Sequence, residues 1–113
     1  MSRNNQINYI EFQAPELKPI KDFYAKTFEW KFADYGTDYC AFSDGIFNGG
    51  FAKGAKRGGA PLVILYADNL EESLEAVMRN GGTIKEQIYT FPGGRRFHFV
   101  DPAGNELAVW SEK

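Results

Sequence analysis

The chain has few of the residues that most often bind transition metals or attack substrates, with one cysteine and one histidine among 113 residues. A single cysteine, Cys40, excludes an intrachain disulfide and a zinc site built from several thiolates. It is typical of a reducing compartment, so we expect a cytoplasmic protein. No motif pairs Cys40 with His98, the one imidazole that can act as its base, and Cys40 is therefore predicted to be a core thiol rather than a nucleophile.

Long apolar runs and an excess of one charge are also missing. No segment approaches the ~18 apolar residues of a membrane span, and the opening MSRNNQINYI lacks the apolar centre of a signal peptide. The 13 basic and 15 acidic residues are mixed along the chain and give a formal charge of −2. A nucleic-acid-binding surface needs a basic excess, and the local cluster KGAKRGG at 53–59 is interpreted as a solvated loop. The sequence therefore predicts neither a membrane nor a nucleic-acid partner.

Aromatic residues, in contrast, are abundant, since ten Phe, six Tyr and two Trp make up 16% of the chain. A chain of this length is enough for one domain with one core and too short for two independent domains. It can fill that core and still have aromatic rings left to line a cavity or an interface. We predict a single domain over residues 1–113.

The pattern of secondary structure occurs twice along the chain. In the first copy, the alternating segment 7–13 predicts a half-buried strand, and Pro19 precedes a helix over 20–28. The apolar stripe of that helix consists of Ile20, Phe23, Tyr24 and Phe28. Three short strands are predicted in EWKFADY, DYCAFSD and FNGGFAK.

The second copy begins with an apolar strand at 61–67 and continues with the clearest helix of the sequence, DNLEESLEAVMRNGG. Asn69 is the predicted N-cap, Glu72 completes a capping box, and Gly81 ends the helix. Its apolar stripe consists of Leu70, Leu74, Val77 and Met78. Three strands follow in TIKEQIYTF, RRFHFV and NELAVWS, separated by PGG and DPAG turns.

This duplication predicts an α+β fold of two βαβββ modules that share one core. Module one is assigned to residues 5–54, the linker to 55–60 and module two to 61–113. Each sheet buries one face under a helix. The other face is then available for a ligand, a partner or its own side chains.

Four segments that span nearly the whole chain, INYIEF, IKDFYAKTFEWKF, DNLEESLEAVMRNGGTI and FVDPAGNELAVW, resemble the vicinal oxygen chelate superfamily. This superfamily includes glyoxalase I, bleomycin-resistance proteins and extradiol dioxygenases. The most specific parts are the DFY…F.W segment and the DP.GN.L turn. The resemblance implies paired glyoxalase-like repeats, whose curved mixed sheets surround a cleft, and it implies a homodimer.

Metal-dependent members of the superfamily hold one divalent ion with four strand residues, which are His, Glu or Gln. The resemblance places these positions at Tyr9, Phe51, Leu62 and Ala108, with the second uncertain by one residue. None of the four supplies a workable ligand. We therefore expect no metal cofactor and no metal-dependent lyase or dioxygenase activity. A relocated metal site among Glu11, Cys40, His98 and Glu106 is the alternative.

Strand alternation indicates which side chains face the cleft. The alternation groups Tyr9 with Glu11, and it also groups Arg96, His98 and Val100. We expect Glu11 and Glu106 to be rim carboxylates paired with Arg95 or Arg96. No catalytic residue is predicted. The predicted ligand-binding residues are the aromatic Tyr9, Phe51, Tyr66 and Trp110 and the orienting Glu11, Arg96, His98 and Glu106.

Three functions are compatible with these features. The first is a metal-free, dimeric protein of the bleomycin-resistance kind that binds a small organic molecule, such as an aromatic one, in an aromatic-lined cleft. The second is a glyoxalase- or isomerase-like enzyme of the same superfamily, with a relocated metal or none. The third is an interaction module whose aromatic rings fill the cleft or lie in the dimer interface.

Overall fold

A computed structural model describes residues 3–54 and 60–113. Residues 55–59, which are most of the predicted solvated cluster and all but the last residue of the predicted linker, therefore lie outside the described residues. The chain forms two compact units. We call them the Tyr9 unit, which is Tyr9–Leu62, and the His98 unit, which combines Met1–Asn8 with Val63–Lys113.

The Tyr9 unit follows the predicted βαβββ order. Its elements are β1 (Gln6–Ala14), α1 (Leu17–Phe28), β2 (Lys31–Asp34), β3 (Tyr39–Ser43) and β4 (Asn48–Lys53). Across the sheet the order is β2-β3-β4-β1, with β1 and β4 parallel and the other neighbours antiparallel.

The His98 unit has the same arrangement of elements. They are β5 (Leu62–Tyr66), α2 (Leu70–Arg79), β6 (Thr83–Phe91), β7 (Gly94–Val100) and β8 (Glu106–Ser111). The sheet order is β5-β8-β7-β6, with β5 and β8 parallel. In both units the last strand lies between the first and the third, so the predicted duplication of an α+β, βαβββ unit is confirmed.

Helix α2 is fixed at both ends by the residues that the sequence indicates. The side chain of Asn69 accepts a hydrogen bond from the Glu72 amide at 3.1 Å and donates one to the Glu72 carboxylate at 3.3 Å. After the helix, Gly81 adopts a φ of 100°, in the left-handed region that favours glycine. The predicted N-cap and the predicted stop are confirmed, whereas the carboxylate of Glu72 bonds to the Asn69 side chain and not to its backbone N–H, as a capping box would require.

Each helix covers one face of its own sheet. In the His98 unit the buried residues Ala67, Leu70, Phe97 and Val109 pack with apolar side chains of α2. In the Tyr9 unit, Cys40, Phe42 and Phe51 form the buried cluster, against which Ile20, Tyr24 and Trp30 pack. Cys40 is fully buried, and burial raises the pKa of its thiol, which confirms the prediction of a core residue.

The predicted helical stripes are wider than the faces that the sheets cover. Phe23, Phe28 and Met78 have exposed fractions of 53%, 59% and 52%, so their assignment to the buried stripes is wrong. Phe23 is one residue before Tyr24 and therefore projects about 100° away from it around α1. Phe28 is the last residue of α1. Met78 follows the partly buried Val77 by one residue and therefore projects about 100° away from it around α2.

No helix in the described ranges is both long enough and apolar enough to span a membrane.

Candidate functional site

The helix-free face of the His98 unit combines polar and aromatic side chains. The strand register pairs Ile64 with Ala108 and Ala108 with His98, so these three residues lie on one face. The remaining members of this face, paired in the same way, are Tyr66, Trp110, Arg96, Val100 and Glu106. Phe97 and Phe99 project to the opposite face and pack in the helix-covered core. This alternation is the one that the sequence predicts.

Four side chains on this face form a continuous hydrogen-bonded chain, which we call the polar relay: Arg96, Tyr89, His98 and Glu106. The Arg96 Nε donates to the Tyr89 hydroxyl at 2.5 Å, and that hydroxyl lies 2.8 Å from His98 Nε2. The other ring nitrogen, Nδ1, lies 3.0 Å from the Glu106 Oε2. His98 has an exposed fraction of only 2%, whereas Tyr89, Arg96 and Glu106 are half-buried.

The partners determine where the protons of the relay reside. Burial opposes ionisation of Glu106, but hydrogen bonds from His98 and Lys85 outweigh it and lower the pKa of Glu106 below its usual value. An ionised carboxylate can only accept, so His98 Nδ1 carries a proton and donates it to Glu106. Burial lowers the pKa of His98, and the nearby Arg96 cation acts in the same direction. We therefore assign a neutral imidazole whose Nε2 accepts from the Tyr89 hydroxyl.

Aromatic rings surround the exposed end of the relay. The Arg96 guanidinium carbon lies 5.6 Å from the centre of the Tyr89 ring and 5.7 Å from that of Phe91. The Phe91 ring lies 6.2 Å from the ring of Trp110, whose Nε1 donates to the Asn8 side chain at 3.1 Å. A planar cation is therefore held among aromatic rings, beside a phenol.

Tyr66, one of the predicted ligand-binding residues, is covered by residues of its own unit. Its ring is buried, the Arg3 guanidinium lies 4.0 Å above it, and its hydroxyl donates to Glu112 at 3.2 Å. Arg3 also forms an ion pair with Glu112 at 2.6 Å. In this structure Tyr66 therefore supports the neighbouring Trp110 ring, whose centre is 5.1 Å away, rather than presenting an open surface.

The helix-free face of the Tyr9 unit has a polar group of its own. The Tyr9 and Tyr39 hydroxyls are 2.6 Å apart, and the Tyr39 hydroxyl is also hydrogen-bonded to Glu11. Burial and the charge of Glu11 raise the pKa of Tyr39 well above its usual range. Gly50 faces the same pair, because a Cβ there would lie 2.6 Å from the Tyr9 hydroxyl and closer still to Tyr39.

Phe51 is not on this face, which corrects the prediction that it contacts a ligand there. Its ring stacks on Phe12 at 5.2 Å and is buried in the helix-covered core with Cys40. Neighbouring strand residues point to opposite faces, so the one-residue uncertainty at this position decides the face, and Gly50 occupies the helix-free side. Glu11 pairs with Gly50, and Cys40 pairs with Phe51, so Cys40 and Glu11 lie on opposite faces of this sheet and cannot converge on one ion.

The predicted rim carboxylates are also placed differently. Glu11 is almost fully buried, so it is not a rim residue. Glu106 pairs with His98 and, at 3.4 Å, with Lys85, rather than with an arginine. Arg95 instead binds Glu71 at 2.6 Å.

The donor set of this chain does not fit the metal of the superfamily. Gly50, Leu62 and Ala108 offer no ligand atom, and Leu62 and Ala108 are fully buried. Elsewhere in residues 3–54 and 60–113, one group with three ligating side chains was found, Glu86, His98 and Glu106, whose ligand atoms lie within 4.8 Å of one another. Its imidazole nitrogen is already hydrogen-bonded to Glu106, and the Lys85 ammonium is paired with the same carboxylate. The carboxylate and the imidazole of this group are thus paired with each other and with an ammonium group.

Two residues of the site have no sequence signal. Tyr89 and Glu86 lie on β6, where the pairing with β7 shifts between Ile84 and Glu86 and again between Glu86 and Tyr89. Simple alternation fails across such shifts. The structure thus brings together the predicted Arg96, His98 and Glu106 and adds Tyr89 as the link between them.

A small groove of about 180 Å³ lies on the helix-covered side of the His98 unit. Its lining includes Leu65, Val77, Phe99 and Val109 and is mostly apolar. The chemistry available in this unit is therefore concentrated on the opposite, helix-free face.

Comparison with known proteins identifies the fold. No protein-family model and no curated protein sequence matches the chain. A glyoxalase/bleomycin resistance protein/dioxygenase superfamily member from Vibrio splendidus 12B01 matches with a TM-score of 0.71 and 8% identity, over 96% of this chain and 99% of that one. Methylmalonyl-CoA epimerase from Mycobacterium tuberculosis matches with a TM-score of 0.74 and 8% identity, over 93% and 86% of the two chains.

The Mn(II)-bound glyoxalase from Novosphingobium aromaticivorans is also similar, with a TM-score of 0.71 and 19% identity. The match covers 99% of this chain but 40% of the glyoxalase, so the chain spans less than half of that protein. Together these structures show that the chain has the vicinal oxygen chelate fold, as the sequence resemblance implies.

Proposed function

We propose that this chain is a metal-free protein that binds a small organic acid with an apolar or aromatic body on the helix-free face of the His98 unit. The observation that carries the proposal is the position of Arg96, which is held by Tyr89 and lies close to Phe91. An arginine binds a carboxylate through two parallel hydrogen bonds, and the neighbouring rings offer surfaces for stacking. His98 and Glu106 would hold Tyr89 in place.

Metal independence is part of the proposal because the four positions that bind metal in the superfamily carry no workable ligand. Elemental analysis of the purified protein should find no stoichiometric Zn, Ni, Mn or Fe. A near-stoichiometric ion that is lost in the His98→Asn variant would contradict this part and would favour the alternative of a relocated metal site.

Ligand binding can be followed through tryptophan fluorescence, because the chain has only Trp30 and Trp110. Trp30 stacks on Tyr24 in the helix-covered core of the Tyr9 unit, at 4.4 Å between ring centres. A Trp30→Phe variant leaves Trp110 as the one indole. We expect benzoate or 3-benzoylpropionate to change the emission of this variant, and neutral benzamide to bind more weakly than benzoate.

The role of the arginine is tested by Arg96→Gln in the same background. A hydrogen bond to a charged group contributes ~1.5–3 kcal/mol, so benzoate affinity should fall by roughly 10- to 100-fold while benzamide affinity changes little. Arg79→Gln is a matched control, since it removes an exposed arginine from the last turn of α2 in the same unit. Wild-type protein that binds none of these acids at millimolar concentration, or Arg96→Gln with unchanged affinity, would overturn the proposal.

The isomerase-like alternative is favoured by the acid–base groups of the polar relay. We also propose that the chain works as a homodimer in the cytoplasm. The resemblance to superfamily members whose chains have this length, with one pair of modules, supports the dimer. The single cysteine, Cys40, is buried and unpaired with another cysteine, which suits a reducing compartment.

A further inference from the structure

The polar relay connects a fully buried imidazole to a half-buried phenol beside a cation. Each contact in it joins a donor to an acceptor: Arg96 Nε to the phenol oxygen, the phenol hydrogen to His98 Nε2, and His98 Nδ1–H to Glu106. A buried neutral imidazole needs a partner at each ring nitrogen, and His98 has both. The two partners differ in kind: Glu106 is a charged carboxylate, and Tyr89 is a half-buried phenol beside Arg96, the group that is nearest to bound ligand in our proposal.

We propose that Tyr89 is a catalytic acid–base group that exchanges a proton with a carbon next to a carbonyl in a small keto acid, with His98 and Glu106 as positioning residues that relay the proton. This inference rests on the proposed binding of an organic acid at Arg96. It adds a reaction class, the enolisation of a carbonyl compound, which includes isomerisation.

The proton transfers balance without any further reactant. As the ligand C–H bond breaks, its proton moves to the Tyr89 oxygen, and the phenol proton moves to His98 Nε2. The products are an enolate and an imidazolium whose Nδ1–H remains bonded to Glu106. In the reverse direction, Tyr89 returns a proton to the same carbon or to another position of the enolate, and the imidazolium restores the phenol.

The charges around the relay suit both states. Glu106 and, at 3.8 Å from Nδ1, Glu86 stabilise the imidazolium. Arg96 stabilises developing negative charge on the phenol oxygen and on the ligand, while it opposes the imidazolium. Lys85 is paired with Glu106 and keeps that carboxylate ionised. Charged groups around the relay include Lys85 and Glu86 from β6, Arg96 from β7 and Glu106 from β8.

The reaction can be measured with 3-benzoylpropionate, which has an aromatic ring, a carboxylate and an exchangeable methylene next to its ketone. Deuterium uptake at that methylene in D₂O is followed by ¹H NMR, and binding of the same compound is measured in parallel by calorimetry. We expect the wild-type protein to accelerate exchange over buffer. Since general acid–base catalysis contributes ~10²- to 10⁴-fold, Tyr89→Phe should lose at least ~100-fold in rate while it still binds the compound.

The positioning residues are tested by the dependence of the rate on pH. Exchange requires neutral His98, so the wild-type rate should rise as the pH increases through the pKa of His98. Glu106→Gln retains a hydrogen-bond acceptor but removes the charge that favours imidazolium, so its profile should move to lower pH and its maximal rate should fall. Tyr35→Phe, at an exposed tyrosine of the Tyr9 unit, should behave as wild type.

The outcomes separate this inference from the proposed function. Binding of 3-benzoylpropionate without accelerated exchange, or undiminished exchange in Tyr89→Phe, overturns the acid–base role and leaves the binding function intact. Absence of binding overturns both. Nitrogen NMR of the His98 ring, the one imidazole of the chain, tests the relay without a ligand. We expect a neutral ring with its proton on Nδ1 at neutral pH. A neutral ring with its proton on Nε2 would contradict the relay.

Discussion

His98 is buried almost completely, yet it has polar partners at both ring nitrogens. Burial of an ionisable group without partners is costly, and the usual result is a neutral group with a shifted pKa. Here the ring is neutral and bonded at both ends, so it stabilises the positions of Tyr89 and Glu106. The same arrangement makes the stability of the fold sensitive to protonation of a single residue.

We predict that the free energy of unfolding decreases as the pH falls from 7 to 5. The pKa of His98 is lowered in the folded state from a usual value of 6.5, so the unfolded chain takes up the proton first and gains relative stability below about that pH. One proton limits the slope to ~1.4 kcal/mol per pH unit. Urea unfolding followed by circular dichroism at pH 7, 6 and 5 measures it.

The matched comparison is His98→Asn, which removes the one histidine of the chain. Its stability should be lower at pH 7 but nearly constant down to pH 5. The folded-state pKa of Glu106 is lowered from 4.5, so its contribution is present above that pH and is lost only in more acidic solution. Equal slopes for wild type and His98→Asn between pH 7 and 5 would show that His98 titrates alike in the folded and unfolded states.

Most of the site residues could be predicted because strand alternation holds wherever the pairing is regular. Arg96 and His98 on β7 and Glu106 on β8 share a face, as expected from the sequence, because β7 and β8 pair without a shift. Tyr89 could not be predicted, since the two register shifts on β6 decide which face it occupies. The prediction for Phe51 was wrong for a related reason. An alignment error of one residue moves a position from the helix-free face to the helix-covered face.

At the scale of single elements, the two helices differ in how their ends are fixed. Helix α2 has the Asn69 side chain as an N-cap and acidic Glu71 and Glu72 in its first turn. Helix α1 begins after Glu16, which makes no side-chain capping bond, and it begins at Leu17, earlier than its apolar pattern predicts. A side-chain N-cap is readable in a sequence, whereas a helix start without a cap depends on tertiary packing.

We predict that Asn69→Ala destabilises the protein by about 1 kcal/mol, because it leaves the Glu72 amide without its side-chain acceptor. Glu16→Ala is the matched control at the equivalent position of α1. It should change stability by a few tenths of a kcal/mol at most, since it removes only an exposed ion pair with Lys53. Both values are measurable by urea unfolding at pH 7. An equal loss in the two variants would contradict a specific contribution of the cap.

At the scale of the whole molecule, the duplication was the most reliable feature of the sequence. Two copies of the same element order restrict the topology far more than any single motif, and the strand orders β2-β3-β4-β1 and β5-β8-β7-β6 are the result. The duplication did not predict which aromatic side chains of α1 are exposed. An aromatic pattern around a helix shows that rings are present but not which of them the sheet covers.

We predict that a second copy of this chain covers the exposed rings of α1. Phe23 and Phe28 are more than half exposed, and their ring centres lie 6.4 Å apart on the same helix. Exposed apolar clusters of this kind are typical of interfaces, and superfamily resemblance implies a homodimer. Light scattering coupled to size-exclusion chromatography should give about twice the chain mass of 12.8 kDa.

The double variant Phe23→Ser with Phe28→Ser should shift this equilibrium to the monomer without unfolding it, because neither ring is buried in the isolated chain. Met78→Ser, at an equally exposed position on α2, is the matched control and should remain dimeric. If the wild type has the monomer mass at tens of micromolar, the chain does not self-associate through α1. If the double variant stays dimeric, another surface forms the interface. The first result would leave ligand binding in the His98 unit to a single chain, since the polar relay lies entirely within that unit.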